Sequence, residues 1–186
     1  LPAALFSRWL GNEVLLLEKA PQLGGTALKA AFWYWVPNNA AMRAAGIADP
    51  KDDFLRYVAR IAQPQAYDPD DTHLGVGEWA YAAYAAIYDS ASPATELLAE
   101  RDALPYRHVA PVPDYWAELP ENKAPTGRVL LPRDAAPSMS DGGKVAIRTM
   151  SAAAERDGVQ IRTGHRVERL IMNALGEVVG VEAAAD

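Results

Sequence analysis

Residues 14–17 are four consecutive apolar residues, VLLL, closed by Glu18 and reached from the segment PAALFSRWL across Gly11. A strand with no polar face has no side to give to water. It belongs in a sheet covered on both faces, as parallel sheets are when helices flank them. Ala and Leu favour helix over residues 2–10, and Gly11 stands where a C-terminal cap belongs. A helix that feeds a buried strand this closely reads as the second half of a β-α-β unit, and so predicts an α/β fold.

The rest of the chain extends that reading. Residues 52–62 place Phe54, Leu55, Val58 and Ile61 on one helical stripe, with Pro50 and Pro64 as brackets. Residues 78–88, EWAYAAYAAIY, form an aromatic and alanine helix expected to contact neighbours on two sides, and Ser92 with Pro93 marks a new helix start. Residues 105–137 are proline-rich and aperiodic, with short strands near 107–109 and 129–131. Ser140 or Asp141 then caps a helix that runs to Asp157 and stops at Gly158. VQIRT is a strand, and RVERLIM and EVVGVEAA flank NALG as a hairpin.

Half of the 186 residues are hydrophobic and 23% are charged, enough to bury a core. The formal net charge is −6 with no cluster of Lys and Arg, which argues against nucleic acid as a partner. No cysteine is present, and His73, His108 and His165 stand far apart, so no metal site is expected. No apolar run is long enough for a membrane span.

Glu18 carries the chemistry. In a dinucleotide-binding β-α-β unit an acid at the end of the second strand accepts hydrogen bonds from ribose hydroxyls, and a glycine fingerprint lies about 20 residues upstream. Counting back places that fingerprint just before Leu1. Gly24 and Gly25 lead into Thr26, a candidate N-cap; glycines let a backbone approach a ligand closely, and helix-start amides favour phosphate.

The stretch EVLLLEKAPQLGGTALKAAFWYWVPNN resembles the FAD-binding flavoproteins that include fumarate reductase and succinate dehydrogenase flavoprotein subunits and 3-ketosteroid dehydrogenases. The match lies in a strand, Glu-Lys, four residues, then Gly-Gly-Thr. WVPNN, MRAAGI and DYWAELP are most similar to the ketosteroid-dehydrogenase-like branch, and DGGKVAIRTMSAAAERDGVQIRTGHRV to the family's return into its FAD domain. The resemblance implies a partial Rossmann-like, glutathione-reductase-type FAD-binding domain with a mostly helical cap insertion and a C-terminal β-hairpin. Its parts would be residues 1–40, the cap-type insertion 41–137, and residues 138–186. It implies FAD as cofactor and a cytoplasmic oxidoreductase that dehydrogenates a ketosteroid-like ring ketone. The alternatives are a fumarate reductase or succinate dehydrogenase type of reaction on a dicarboxylate, or a non-catalytic truncated fragment.

By the same resemblance Glu18 binds the adenosine ribose with Lys19 beside it. Gly25 and Thr26 line the pyrophosphate–flavin path, with Gly24 also among the cofactor-binding residues, Ala30 and Ala31 lie by the isoalloxazine, and Val167 meets the adenine through its backbone. The chain departs from the family in having no GxGxxG, and in Ala30-Ala31-Phe32 where many relatives have Ser-Gly-Gly. Such dehydrogenases use catalytic tyrosines, but Tyr67, Tyr81, Tyr84, Tyr88, Tyr106 and Tyr115 read as core or surface aromatics, and no catalytic residue is assigned. Arg107 and His108 match no motif, and Asp68, Asp70 and Asp71 read as a solvated cap, since the Gly and Glu of a calcium loop are missing.

Overall fold

The computed structural model of the chain describes residues 1–136 and 140–185. The elements run α1 (Pro2–Trp9), β1 (Leu15–Leu17), a 3-10 turn (Gly25–Lys29), β2 (Tyr34–Trp35), α2 (Ala40–Ala44), α3 (Lys51–Ala62) and α4 (Glu78–Glu100). They continue with β3 (Tyr106–His108), β4 (Val129–Pro132), α5 (Gly142–Arg156), β5 (Gln160–Arg162), β6 (His165–Met172) and β7 (Val178–Ala185). The protein is mixed α/β. It divides into two compact units, one of Leu1–Phe32 with Asp134–Asp186 and one of Trp33–Arg133. The boundary expected between residues 137 and 138 lies outside the described residues. No helix among those described is long and apolar enough to cross a membrane.

In the first unit β1 and β5 pair in parallel, Leu15 opposite Gln160 through Leu17 opposite Arg162. The pairing continues past the strand: the Glu18 amide donates to the Arg162 carbonyl and the His165 amide to the Glu18 carbonyl, each at 2.9 Å. The core gathers along α5, where Val145, Ala146, Met150, Ala153 and Ala154 are buried, with Leu5 of α1 also buried. Arg8 Nε donates to the Asp157 carbonyl at 2.7 Å and Trp9 Nε1 to the Asp157 carboxylate at 2.8 Å, so α1 is stapled to the end of α5. β6 and β7 form an antiparallel hairpin.

The expectation that residues 14–17 are covered on both faces fails. The strand is three residues long, and Leu15 at its start is 49% exposed. Among the described residues β1 pairs only with β5, so its sequence carries more apolar surface than this unit covers.

The second unit holds a three-stranded antiparallel sheet of order β2-β4-β3, with all four residues of β4 buried. Beside it, Phe54, Leu55 and Ala59 of α3 form a cluster against which Tyr81, Tyr84 and Tyr88 of α4 pack. Val58 packs half-buried against the same cluster, Tyr57 is buried as well, and Ile61 stays half-buried. Trp79, at the start of α4, is 84% exposed and takes no part in the core.

No new helix starts at Ser92. α4 runs unbroken through Pro93. A proline inside a helix costs about 3 kcal/mol from the missing amide and the ring clash. Tertiary contacts oppose that cost: Ser92, Thr95 and Leu98 are buried on one side of the helix, and Ser92 Oγ donates to Glu96 Oε1 at 2.6 Å.

The centre of this unit is polar. Arg128 has no exposed surface. Its Nε and Nη2 donate to the two carboxylate oxygens of Asp49 at 2.9 and 2.6 Å, while Nη1 donates to Asp114 and, at 3.1 Å, to Asn122 Oδ1. The rings of Trp35, Tyr57 and Phe54 lie 5.1, 5.3 and 5.9 Å from the guanidinium carbon. Burial disfavours the guanidinium charge, but the hydrogen bonds and charges of Asp49 and Asp114 outweigh it and hold its pKa above the ordinary value.

Candidate functional site

The turn after β1 builds the site. Glu18 ends the strand half-buried, and one carboxylate oxygen accepts the Ala20 amide at 2.8 Å, closing the chain into the turn. Its other oxygen has no hydrogen-bond partner among the described residues. Gly24 then takes φ 109° and begins the 3-10 turn. A Cβ on Gly24 would lie 2.7 Å from the Leu28 side chain and 3.0 Å from that of Ile147, so both backbone angle and space demand glycine there. At Gly25 the position of a Cβ meets nothing within 4 Å.

Together these residues frame a cavity of about 600 Å³. Glu18, Gly24 and Gly25 lie on its wall, with Leu16, Leu17 and Phe32 as apolar lining. Helix α5 adds Ile147 and Met150, one helical turn apart, at positions that carry no local sequence signal of a site. An acceptor with a spare oxygen, an open glycine backbone and apolar walls can take a ligand that is part apolar ring and part hydroxyl donor.

The other expected residues fall elsewhere. Thr26 is exposed and lies inside the 3-10 turn, whose cap position belongs to Gly24. The turn leaves a helical path after one cycle because Ala30 is extended, at ψ 146°. Lys19, Ala30 and Ala31 are exposed and do not line the cavity. The Ala30 carbonyl accepts the Gly143 amide at 2.9 Å, so this segment is docked against the start of α5. Val167 is 44% exposed on β6, two residues beyond the His165 amide that bonds to Glu18.

WVPNN has a structural role. Asn39 is buried, donates to the Val36 and Gly127 carbonyls at 2.9 and 3.0 Å, and accepts the Met42 amide at the start of α2. The Asn38 amide donates to Asp49, the partner of Arg128. Asp68 and Asp71 also turn inward on their own loop. Asp71 accepts the amides of Gly75 and His73, which hold its carboxyl below the ordinary range. Asp141 does not cap α5 through its side chain; it accepts the Ala136 amide instead, at 2.8 Å.

A family model described as FAD binding domain matches residues 1–186. The 3-oxosteroid 1-dehydrogenase of Mycolicibacterium smegmatis is 27% identical over 132 residues, 70% of this chain and 21% of that protein. That of Comamonas testosteroni is 30% identical over 124 residues, 67% of this chain and 19% of that protein. The chain thus spans about a fifth of the length of the curated relatives it matches. The crystal structure of 3-ketosteroid delta1-dehydrogenase from Sterolibacterium denitrificans, in complex with 1,4-androstadiene-3,17-dione, superposes with a TM-score of 0.78 at 21% identity, covering 100% of this chain and 42% of that one.

Proposed function

The chain belongs to the FAD-binding domain family, and on that premise we propose that its Glu18 cavity receives the adenosine end of FAD. The whole protein would be an FAD-dependent dehydrogenase acting on a steroid-like ring ketone. The observation that carries the reading is Glu18 itself: a strand-end carboxylate with one oxygen left over, on the wall of a cavity that the open backbone of Gly25 also lines. Those residues fit the cofactor, since a ribose supplies hydroxyl donors and an adenine ring suits apolar walls.

Each residue then has a stated task. Glu18 accepts from the ribose hydroxyls and so fixes the cofactor's orientation. Gly25 lets the backbone approach the phosphates without a side chain intervening, and Gly24 supplies the backbone angle that shapes the turn. Thr26 continues that path, Ala30 and Ala31 border the ring system, Lys19 flanks the ribose and the Val167 backbone meets the adenine. FAD, when bound, would supply the two-electron acceptor for a hydride leaving the β-carbon, while the carbon next to the ketone gives up a proton to a base and a C=C bond forms between the two.

The same proposal takes the Leu1–Phe32 and Asp134–Asp186 unit as the partial Rossmann-like half and the Trp33–Arg133 unit as the cap-type insertion. The parallel β1–β5 pair interrupted by one long insertion supports this. The steroid-like substrate rests on the names of the relatives.

Two experiments test the reading. In the first, FAD is titrated into the chain and followed by quenching of flavin fluorescence. Glu18→Gln keeps the Ala20 contact but loses the charge, and should weaken FAD about 10- to 100-fold, the worth of a hydrogen bond to a charged group. A folded chain that takes up no FAD would sink the reading and favour a non-catalytic part. In the second, the whole protein is assayed with a steroid ketone and an artificial acceptor, and separately with fumarate and a reduced dye. Turnover of fumarate alone would replace the ring-ketone assignment.

A further inference from the structure

A second cavity, of about 590 Å³, shares Gly25 with the first and is lined otherwise by Gln22, Leu28, Lys29, Ser140 and Lys144. Among the described residues its lining has two lysines and no carboxylate, in a chain whose net charge is −6. Among the described residues neither lysine has an ion-pair partner, although Arg43, Lys51 and Arg60 do.

The backbone brings these two lysines together. The Gly143 amide donates to the Ala30 carbonyl at 2.9 Å. Lys144 follows Gly143 and Lys29 precedes Ala30, so one backbone bond pins the residues next to both. The packing is tight enough that a Cβ on Gly143 would lie 2.0 Å from the Ala27 carbonyl oxygen. Two like charges lining one cavity repel each other, and an anion between them adds two attractions that outweigh that repulsion. Lysine is a compact point charge, suited to phosphate oxygens that approach from several directions.

We infer that Lys29 and Lys144 form a cationic pair that binds the phosphate groups of a diphosphate ligand. The inference rests on the FAD reading for one of its two possible sources. A dinucleotide with its ribose at Glu18 passes Gly25, which lines both cavities, and its diphosphate then reaches the lysines. The other source is a free phosphate compound that uses this cavity alone.

The test is calorimetric titration of the chain, at low ionic strength, with FAD, riboflavin and inorganic diphosphate. It compares the wild type with K29Q, K144Q, the double variant and E18Q. Both lysines are exposed, so the variants should fold, which circular dichroism checks. FAD affinity is expected to fall about threefold for each lysine and about tenfold for the pair, with the loss shrinking as salt is added. Riboflavin, which has no phosphate, should be unaffected, and the double Lys→Arg variant should recover most of the affinity.

If inorganic diphosphate binds through the lysines while FAD is indifferent to them, the free compound is the source and the pair stands. E18Q separates the two readings, because it should weaken FAD and leave diphosphate unchanged. Lysine-dependent diphosphate binding by a chain that never takes FAD would overturn the FAD reading and keep this one. A double variant that binds FAD and diphosphate as the wild type does, or a wild type that binds neither, overturns the inference.

Discussion

Arg128 and Glu18 are both charged residues at the end of a strand, one just before β4 and the other just after β1, yet the two units treat them in opposite ways. Arg128 is fully enclosed, and Asp49, Asp114 and Asn122 accept from its nitrogens. Glu18 is half-buried, keeps one oxygen unengaged and borders a cavity. A buried charge with every partner inside the unit is structure, because nothing outside can improve on its hydrogen bonds. A charge with capacity to spare beside open backbone can still accept hydrogen bonds from a ligand. Lys29 and Lys144 extend the contrast within the first unit.

The contrast breaks most directly at Arg128. Arg128→Met should leave Asp49 and Asp114 as uncompensated buried charges and cost about 3–5 kcal/mol, read as a lower urea midpoint followed by tryptophan fluorescence. Replacing Arg128, Asp49 and Asp114 together by apolar residues should restore much of that loss. A single variant as stable as wild type would show that the network is not what holds this unit.

The next effect belongs to the first unit. Gly143→Ala places a methyl against the Ala27 carbonyl and should cost about 1–3 kcal/mol as the 3-10 turn is pushed off α5. FAD uptake should fall with it, because the turn carries Gly24 and Gly25. Glu18→Gln should reduce FAD binding with a melting temperature close to wild type. If its stability fell as far as that of Arg128→Met, Glu18 would be structural and the contrast would collapse.

The smallest effect is one of pH. Burial, and then the Asp114 charge, push the Tyr57 hydroxyl up to about 12. An unfolded tyrosine ionises near 10, so between about pH 10 and 12 the folded state holds a proton that the unfolded state has lost, and stability falls as pH rises. Tyr57→Phe should flatten that decline in an alkaline denaturation series, while also removing the hydrogen bond to the Tyr115 carbonyl.

Much of the element order was legible from local signals. Apolar periodicity locates α3, cap and stop residues locate α5, the NALG turn locates the hairpin, and the short strands at 106–108 and 129–132 fall within a residue or two of expectation. The misreadings share a cause. Pro93 reads locally as a helix start, but the packing of Ser92, Thr95 and Leu98 carries α4 through it. Thr26 reads as a cap, yet Gly24, with the backbone angle that the turn needs, occupies that position. In the site, the acid and glycines were visible because their spacing is local. Ile147, Met150 and Lys144 were not, since they lie over a hundred residues further along the chain.

By itself, the sequence determined the strand that ends on an acid, the glycine turn after it and the alternation of helix and strand, all of which depend on neighbours in the chain. Only the tertiary structure decided that β5 would lie beside β1, that Arg128 would turn inward, and that two distant lysines would share a cavity with Gly25. Those outcomes depend on which surfaces meet after the chain has closed long loops, and local propensity carries no record of them.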